Sequence, residues 1–572
     1  MPTPRLLVQA TSTCPKPLST PSPAPPPPQT PDDSQDFFNY TYGRFLWREP
    51  QQLRARHRAF NAAALQAVAA QAAGAQSCVS MRKVWETDYF KLFRLVLDDG
   101  REVEARVPHP NAGAARYTTA SEVATMAFAR DVLGVPAPRV LAWSSAPEEE
   151  NAVGAEYVVT EKVEGTKLVY LWGEMSLYEK ERIIDELVEI EKRFLKVEFS
   201  KSGAIYYANE GLPGCEEVEI TGDFSEDVRE SLSRFAIGPT TEREFWKNGK
   251  SDMDLNRGPW RTAQDYFESI AHNEIAWLRR FATPDSLDMT NRWSVSYNQR
   301  IPEAHIEMLR KYLSVIPLVT PKDPDLISFR LWNSELHDQN VLVHEGKITC
   351  IFDWQAISVR PLFHSASVPH CIRYAGDLML ELPDNFNELD DEEKAEMRDT
   401  VSRSISSRLY SQKTEAQNPL LHKTLTHPHC DRIGELIACA EGTWDGDLVR
   451  LREILKRLER DWETLGIDAP CPYHFSAAEL EKHRESAEGF NQSQDLWQQF
   501  SDKNMLRRDG WVFHETFELL VEMFAGLRDD GLRDCKNDPE CTEEQWNDLE
   551  EATRWVLEHK RKGGGGEAVS SG

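Results

Sequence analysis

Leu331-Trp332-Asn333-Ser334-Glu335-Leu336-His337-Asp338-Gln339-Asn340-Val341-Leu342-Val343 runs through His344-Glu345-Gly346-Lys347 into Ile348-Thr349-Cys350-Ile351-Phe352-Asp353-Trp354. Val341 to Val343 and Ile348 to Phe352 read as two short strands turning at Glu345-Gly346. Antiparallel pairing brings Asn340 and Asp353 to the same open end of that hairpin. Glu335 lies in the loop feeding it. Two carboxylates and a carboxamide therefore converge, an oxygen set that suits Mg²⁺ and leaves one carboxylate to orient a hydroxyl and accept its proton.

Working outward, Tyr89 to Leu97 and Glu102 to Val107 flank the turn Asp98-Asp99-Gly100 and predict a β-hairpin. Residues 54–73 read as a helix stopped by Gly74, and Thr119 or Ser121 as the cap of another ending near Gly134. Glu156 to Thr160 predicts a strand. Ser176 to Val197 carries apolar residues at helical spacing, as do Leu448 to Leu465 and Thr542 to Lys560. Strands early and helices late indicate an α+β protein of two lobes. The expected organisation is a tail over 1–35, a β-rich small lobe with an N-terminal helix over 36–165 and a helical large lobe over 166–400. A helical extension over 401–560 and a flexible tail over 561–572 complete it.

The loop resembles the His-Gly-Asp-Leu-His-x-x-Asn motif of the aminoglycoside phosphotransferase and choline kinase group, with Asp353-Trp354 at the place of its metal motif. Phe38-Asn39-Tyr40-Thr41-Tyr42-Gly43, Thr119-Ala120-Ser121-Glu122-Val123-Ala124 and Gly258-Pro259-Trp260 extend the likeness to the fungal altered-inheritance-of-mitochondria phosphotransferase-like proteins. The resemblance implies a protein-kinase-like fold and ATP- and Mg²⁺-dependent phosphoryl transfer to a small molecule. It implies metal ligation by Asn340 and Asp353, a base at Glu335, and a phosphate-contacting cation at Arg106 paired with Glu122.

The chain departs from that motif. Glu335 stands for Asp, Asn333 for the first His, and Arg106 for the usual Lys. Trp85-Glu86-Thr87-Asp88-Tyr89-Phe90-Lys91 has no glycine where a glycine-rich turn would offer backbone N–H groups to phosphate. Glu86 and Asp88 are expected to repel ATP there. The alternative to an active enzyme is thus a pseudokinase, a binding or scaffold protein whose hold on ATP and Mg²⁺ is weakened or lost.

The 572-residue chain carries a formal charge of −28, against a broad nucleic-acid footprint. No stretch reaches the ~18 apolar residues of a bilayer span. The ten cysteines are scattered without a CxxC pair, fitting a reducing compartment better than a disulfide framework. His427, His429 and Cys430 cluster, but lack a second ligand group at zinc spacing. Trp172, Trp260 and Trp354 read as packing residues. Residues 1–31 hold 11 of the 33 prolines and no acid, a composition shared by unpacked tails and by mitochondrial transit segments. The expected location is mitochondrial, otherwise cytoplasmic.

Overall fold

The computed structural model describes residues 36–146, 150–222, 226–283, 298–503, 505–539 and 541–563. The expectations for residues 1–35 and for 564–572 fall outside these. The chain divides into two compact units, one of Arg56–Leu287 with Tyr297–His483, the other of Met1–Ala55, Asp288–Ser296 and Arg484–Gly572.

The larger unit begins with a five-stranded antiparallel sheet of β1 (Cys78–Glu86), β2 (Phe90–Leu97), β3 (Glu102–Pro108), β4 (Val140–Ser144) and β5 (Tyr157–Glu161), ordered β1-β2-β3-β5-β4. Strict alternation in β2 and β3 decides its two faces. Phe93, Leu95, Leu97, Val103, Ala105 and Val107 are buried. That face packs helix α1 (Ala62–Ala73) and Phe60, whose ring lies 5.5 Å from Phe93. Leu92, Arg94, Glu104 and Arg106 line the other, half-buried face.

Local chemistry moved several helix boundaries. The predicted helix over 54–73 is two, Glu49–Arg56 and Ala62–Ala73, because Asn61 caps the second by accepting from Ala64 N at 3.0 Å. Gly74, at φ +71°, closes it as expected. Helix α2 (Tyr117–Asp131) starts before Thr119 and Ser121. Arg116 turns the chain at φ +68°, its N–H donating to Glu156 Oε1 at 2.9 Å, so both expected caps lie inside the helix.

Helix α3 (Leu177–Phe194) carries a Ser176/Glu179 capping box. With α4 (Ala263–Phe281), α5 (Pro302–Val319) and α6 (Asp391–Gln417) it builds the helical part around Trp332 and Trp354, whose rings lie 5.9 and 6.2 Å from Phe194. Trp260 is likewise buried, whereas Trp172 is half-exposed under the Lys180 ammonium. Between α3 and α6, Tyr410 donates its hydroxyl to the fully buried Glu191 at 3.0 Å. Burial lifts the Glu191 carboxyl to about 8 from 4.5, against the opposing Tyr410 hydrogen bond. A folded-state pKa raised in this way gives stability that is full below the unfolded value and is lost as pH climbs toward 8. Thermal melts should therefore fall between pH 5 and 8 at a slope of about 1.4 kcal/mol per unit, and Glu191→Gln should flatten that fall. An identical slope in the variant would assign the loss to other groups.

In the smaller unit the strand Arg44–Phe45 pairs antiparallel with Trp511–Val512. Trp47, Phe517, Phe524 and Trp555 pack beside them. The predicted helix over 542–560 is two, Glu543–Ala552 and Arg554–Gly563, parted at Thr553, whose hydroxyl donates to Leu549 O at 2.6 Å. A Cys535–Cys541 disulfide, which the scattered spacing did not suggest, closes a short loop; seven other described cysteines are free. Among the described residues no helix is long and apolar enough to cross a membrane, and no group of three or more metal-type side chains occurs.

Candidate functional site

The decisive hairpin forms with the predicted pairing. Strand β6 (Thr166–Lys167) joins β7 (Val341–His344) and β8 (Lys347–Ile351) in one small sheet. Val341 faces Ile351, and Phe352 N donates to Asn340 O at 2.8 Å, so Asn340 and Asp353 leave the hairpin side by side. Asp353 adopts φ +56°, a left-handed conformation that a non-glycine residue holds only when its surroundings over-determine it. Burial raises its carboxyl above the ordinary range; Arg106 pulls it back down and Glu335 pushes it up. Those responses put all three groups in one electrostatic neighbourhood.

The Asn340 amide is oriented by its own loop. Its Nδ2 donates to Glu335 O at 3.2 Å and lies 3.2 Å from His337 Nε2, which leaves Oδ1 as the free ligand atom. A carbonyl oxygen beside a half-buried carboxylate is a donor set a hard divalent cation takes. The residues present therefore fit Mg²⁺. Glu335 is half-exposed, with Oε2 3.4 Å from His337 Nε2. That contact, reinforced by Arg360, holds its carboxyl below the usual range and so ionised at neutral pH. Asn333, at the motif's first His, is fully buried and accepts from Glu335 N at 2.8 Å, fixing the loop from beneath.

On the sheet face opposite α1, Arg106 forms an ion pair with Glu122 of α2 and lies 5.0 Å from the Phe90 ring. Burial draws the Arg106 guanidinium down to about 10, while the charge of Asp353 raises it. Trp85 is half-buried on β1, with the Lys167 ammonium 5.1 Å from its ring.

The β1–β2 turn differs from its expectation. Glu86 and Asp88 are not a bare negative tip. Glu86 is buried between Lys83 at 3.0 Å and Lys91 at 3.3 Å, and Asp88 lies 3.7 Å from Arg56. Lys91 also donates to Arg56 O at 3.0 Å and lies 3.1 Å from His109 Nδ1. Burial, then the Lys91 charge, pushes His109 down to about 2. The imidazole is therefore neutral, accepting from Lys91 and donating through Nε2 to Thr87 O at 3.2 Å. Thr87 Oγ1 accepts from the N–H groups of Tyr89 and Phe90, both at 3.2 Å. The turn is thus neutralised from behind and has spent two of its own donors. Glu86 and Lys91 face each other in the hairpin register, so their pairing was open to a reading that counted residues outward from the turn. Arg56 and His109 lie too far along the chain for such a count.

No family model matches the chain. It is 29% identical over 495 residues to a subtelomeric hrmA-associated cluster protein of Aspergillus fumigatus, covering 80% of this chain and 94% of that protein. It is 25% identical over 522 residues to the altered inheritance of mitochondria protein 9, mitochondrial, of Yarrowia lipolytica, covering 86% of each. Among solved structures, the aminoglycoside phosphotransferase APH(2'')-Ib, ADP-bound, and a thermostable mutant of aminoglycoside phosphotransferase APH(4)-Ia, apo form, superpose at TM-scores of 0.34 and 0.32, with 11% and 14% identity. They cover 67% and 71% of this chain and 92% and 100% of their own.

Proposed function

We propose that the larger unit is a phosphotransferase of protein-kinase-like design that moves the terminal phosphoryl group of Mg²⁺-bound ATP to a hydroxyl or amine of a small molecule. One observation carries the reading: Arg106, paired with Glu122, shares its electrostatic neighbourhood with an Asp353 held left-handed beside the pre-oriented Asn340. A cation on the sheet and an oxygen pair on the hairpin are what positioning and charge neutralisation in phosphoryl transfer require.

Asn340 Oδ1 and the Asp353 carboxylate would hold Mg²⁺, which supplies neutralisation of the phosphate oxygens. Arg106 binds phosphate from the sheet side. Glu335 orients the acceptor hydroxyl and takes its proton as the acceptor oxygen bonds to phosphorus and the bond to the departing diphosphate breaks. The alternative, a pseudokinase that binds without transferring, draws on the β1–β2 turn, where Thr87 Oγ1 occupies two donors that a glycine-rich turn would give to phosphate.

Calorimetric titration of ATP with and without Mg²⁺ tests binding, and release of ADP in the presence of candidate acceptors tests transfer. Glu335→Gln should keep nucleotide affinity within about twofold and lower turnover roughly 10²- to 10⁴-fold, the usual contribution of a positioned base. Equal loss in binding and turnover would remove the base assignment. Nucleotide binding without transfer to any hydroxyl or amine would favour the pseudokinase.

We further infer a mitochondrial location, supported by the acid-free residues 1–31 and by the names of several relatives. A fusion of residues 1–40 to a fluorescent reporter should enter mitochondria; a purely cytosolic signal removes this inference.

A further inference from the structure

Several cations around the two hairpins are matched by acids. Arg106 pairs with Glu122, Lys83 and Lys91 share Glu86, and Arg360 lies 3.4 Å from Glu242. Arg243 is different. Its guanidinium lies 4.0 Å from the ring of Tyr89, at the tip of the β1–β2 hairpin, and donates through Nη1 to the Tyr89 hydroxyl. Among the described residues no carboxylate stands within ion-pair distance of it. The adjacent Glu242 cannot neutralise it, because that carboxylate already accepts from Thr240 at 2.8 Å, Tyr266 at 3.0 Å and Arg360 at 3.4 Å.

The place matters as much as the charge. Tyr89 belongs to the turn that covers phosphates in nucleotide folds of this design, and Arg360, the cation beside Glu242, acts on the Glu335 carboxylate. Arg243 is thus tied to the hairpin tip through Tyr89, and it follows directly in the chain the Glu242 that accepts from Arg360. A phenol ring is a weak partner for a guanidinium, and the single bond to its hydroxyl leaves the remaining N–H donors unspent. Phosphate oxygens accept bidentate hydrogen bonds from that planar fork.

We propose that Arg243 contacts the terminal phosphates of the bound nucleotide, held in position by Tyr89, and takes over the contact that the glycine-free turn does not provide. This rests on the nucleotide-cleft reading above. Tyr89 is a positioning residue; Arg243 touches the phosphate.

The test titrates the full chain with ATP, ADP and AMP in Mg²⁺ by calorimetry. Arg243→Gln should weaken ATP about 10- to 100-fold, the range for a hydrogen bond to a charged group, and leave AMP within about twofold. Arg243→Lys should recover only part of the loss, since it restores charge without the fork. Should Arg243→Gln fail to fold, Tyr89→Phe decides: it keeps the ring, removes the hydroxyl anchor, and should weaken ATP without weakening AMP. ATP affinity unchanged, or ATP and AMP weakened alike, overturns the role of Arg243 while the cleft reading stands. An unaltered chain that binds none of the three overturns both.

Discussion

Asp353→Ala should abolish the Mg²⁺ dependence of ATP binding. The residue is the main anionic ligand proposed for the cation, and changes even to outer-shell partners of a metal cost about 10- to 100-fold in its affinity, so removing the ligand should cost at least that. The fold should survive. Arg106 keeps Glu122, and Asp353 is a half-buried acid whose carboxyl is already pushed upward by its surroundings. The same upward push has a consequence for pH. Mg²⁺ binding must displace a proton held more tightly than on an ordinary carboxyl, so affinity should decline with acidification earlier than the usual carboxylate range. Calorimetry of wild type and Asp353→Ala across pH, with and without Mg²⁺, measures both effects. Unchanged Mg²⁺-dependent binding in the variant would show the metal position to be wrong, and with it the enzyme reading built on it.

Glu86→Gln should destabilise the larger unit by about 3–5 kcal/mol, the cost of breaking a buried ion pair from one side. Lys83 and Lys91 would be left as two ammonium groups sharing a buried space without their common carboxylate. Burial already holds Lys91 down to about 8 despite Glu86, so little reserve remains. Chemical unfolding should register the loss as a lower midpoint. The repulsion expected of Glu86 and Asp88 from the sequence implies that Glu86→Gly with Asp88→Asn tightens ATP binding. The neutralisation of Glu86 by two lysines reverses that: ATP affinity per folded molecule should not improve. A variant as stable as the wild type and tighter for ATP would restore the repulsion argument.

What could be read in the sequence is what short-range chemistry enforces. The β7–β8 hairpin needs only a turn at Glu345-Gly346 and two apolar runs, so the meeting of Asn340 and Asp353 follows from counting residues. Alternation through residues 90–107 dictates the two faces of the sheet, because successive strand side chains point opposite ways, and this placed Arg106 away from the apolar face. Its pairing with Glu122 came from the motif resemblance and is present.

Tertiary structure decided what the hairpin tip meets beyond its own two strands. Glu86 and Asp88 read as exposed turn acids because nothing adjacent shows that Arg56, thirty residues upstream, and His109, some twenty downstream, close over them. Tyr89 meets Arg243 across more than 150 residues, beyond the reach of any pattern with a fixed spacing. A charge in a loop is read from sequence with its sign but without its partner. The partner is chosen by long-range packing, and in a buried site it decides whether that charge repels a ligand or is silenced before the ligand arrives.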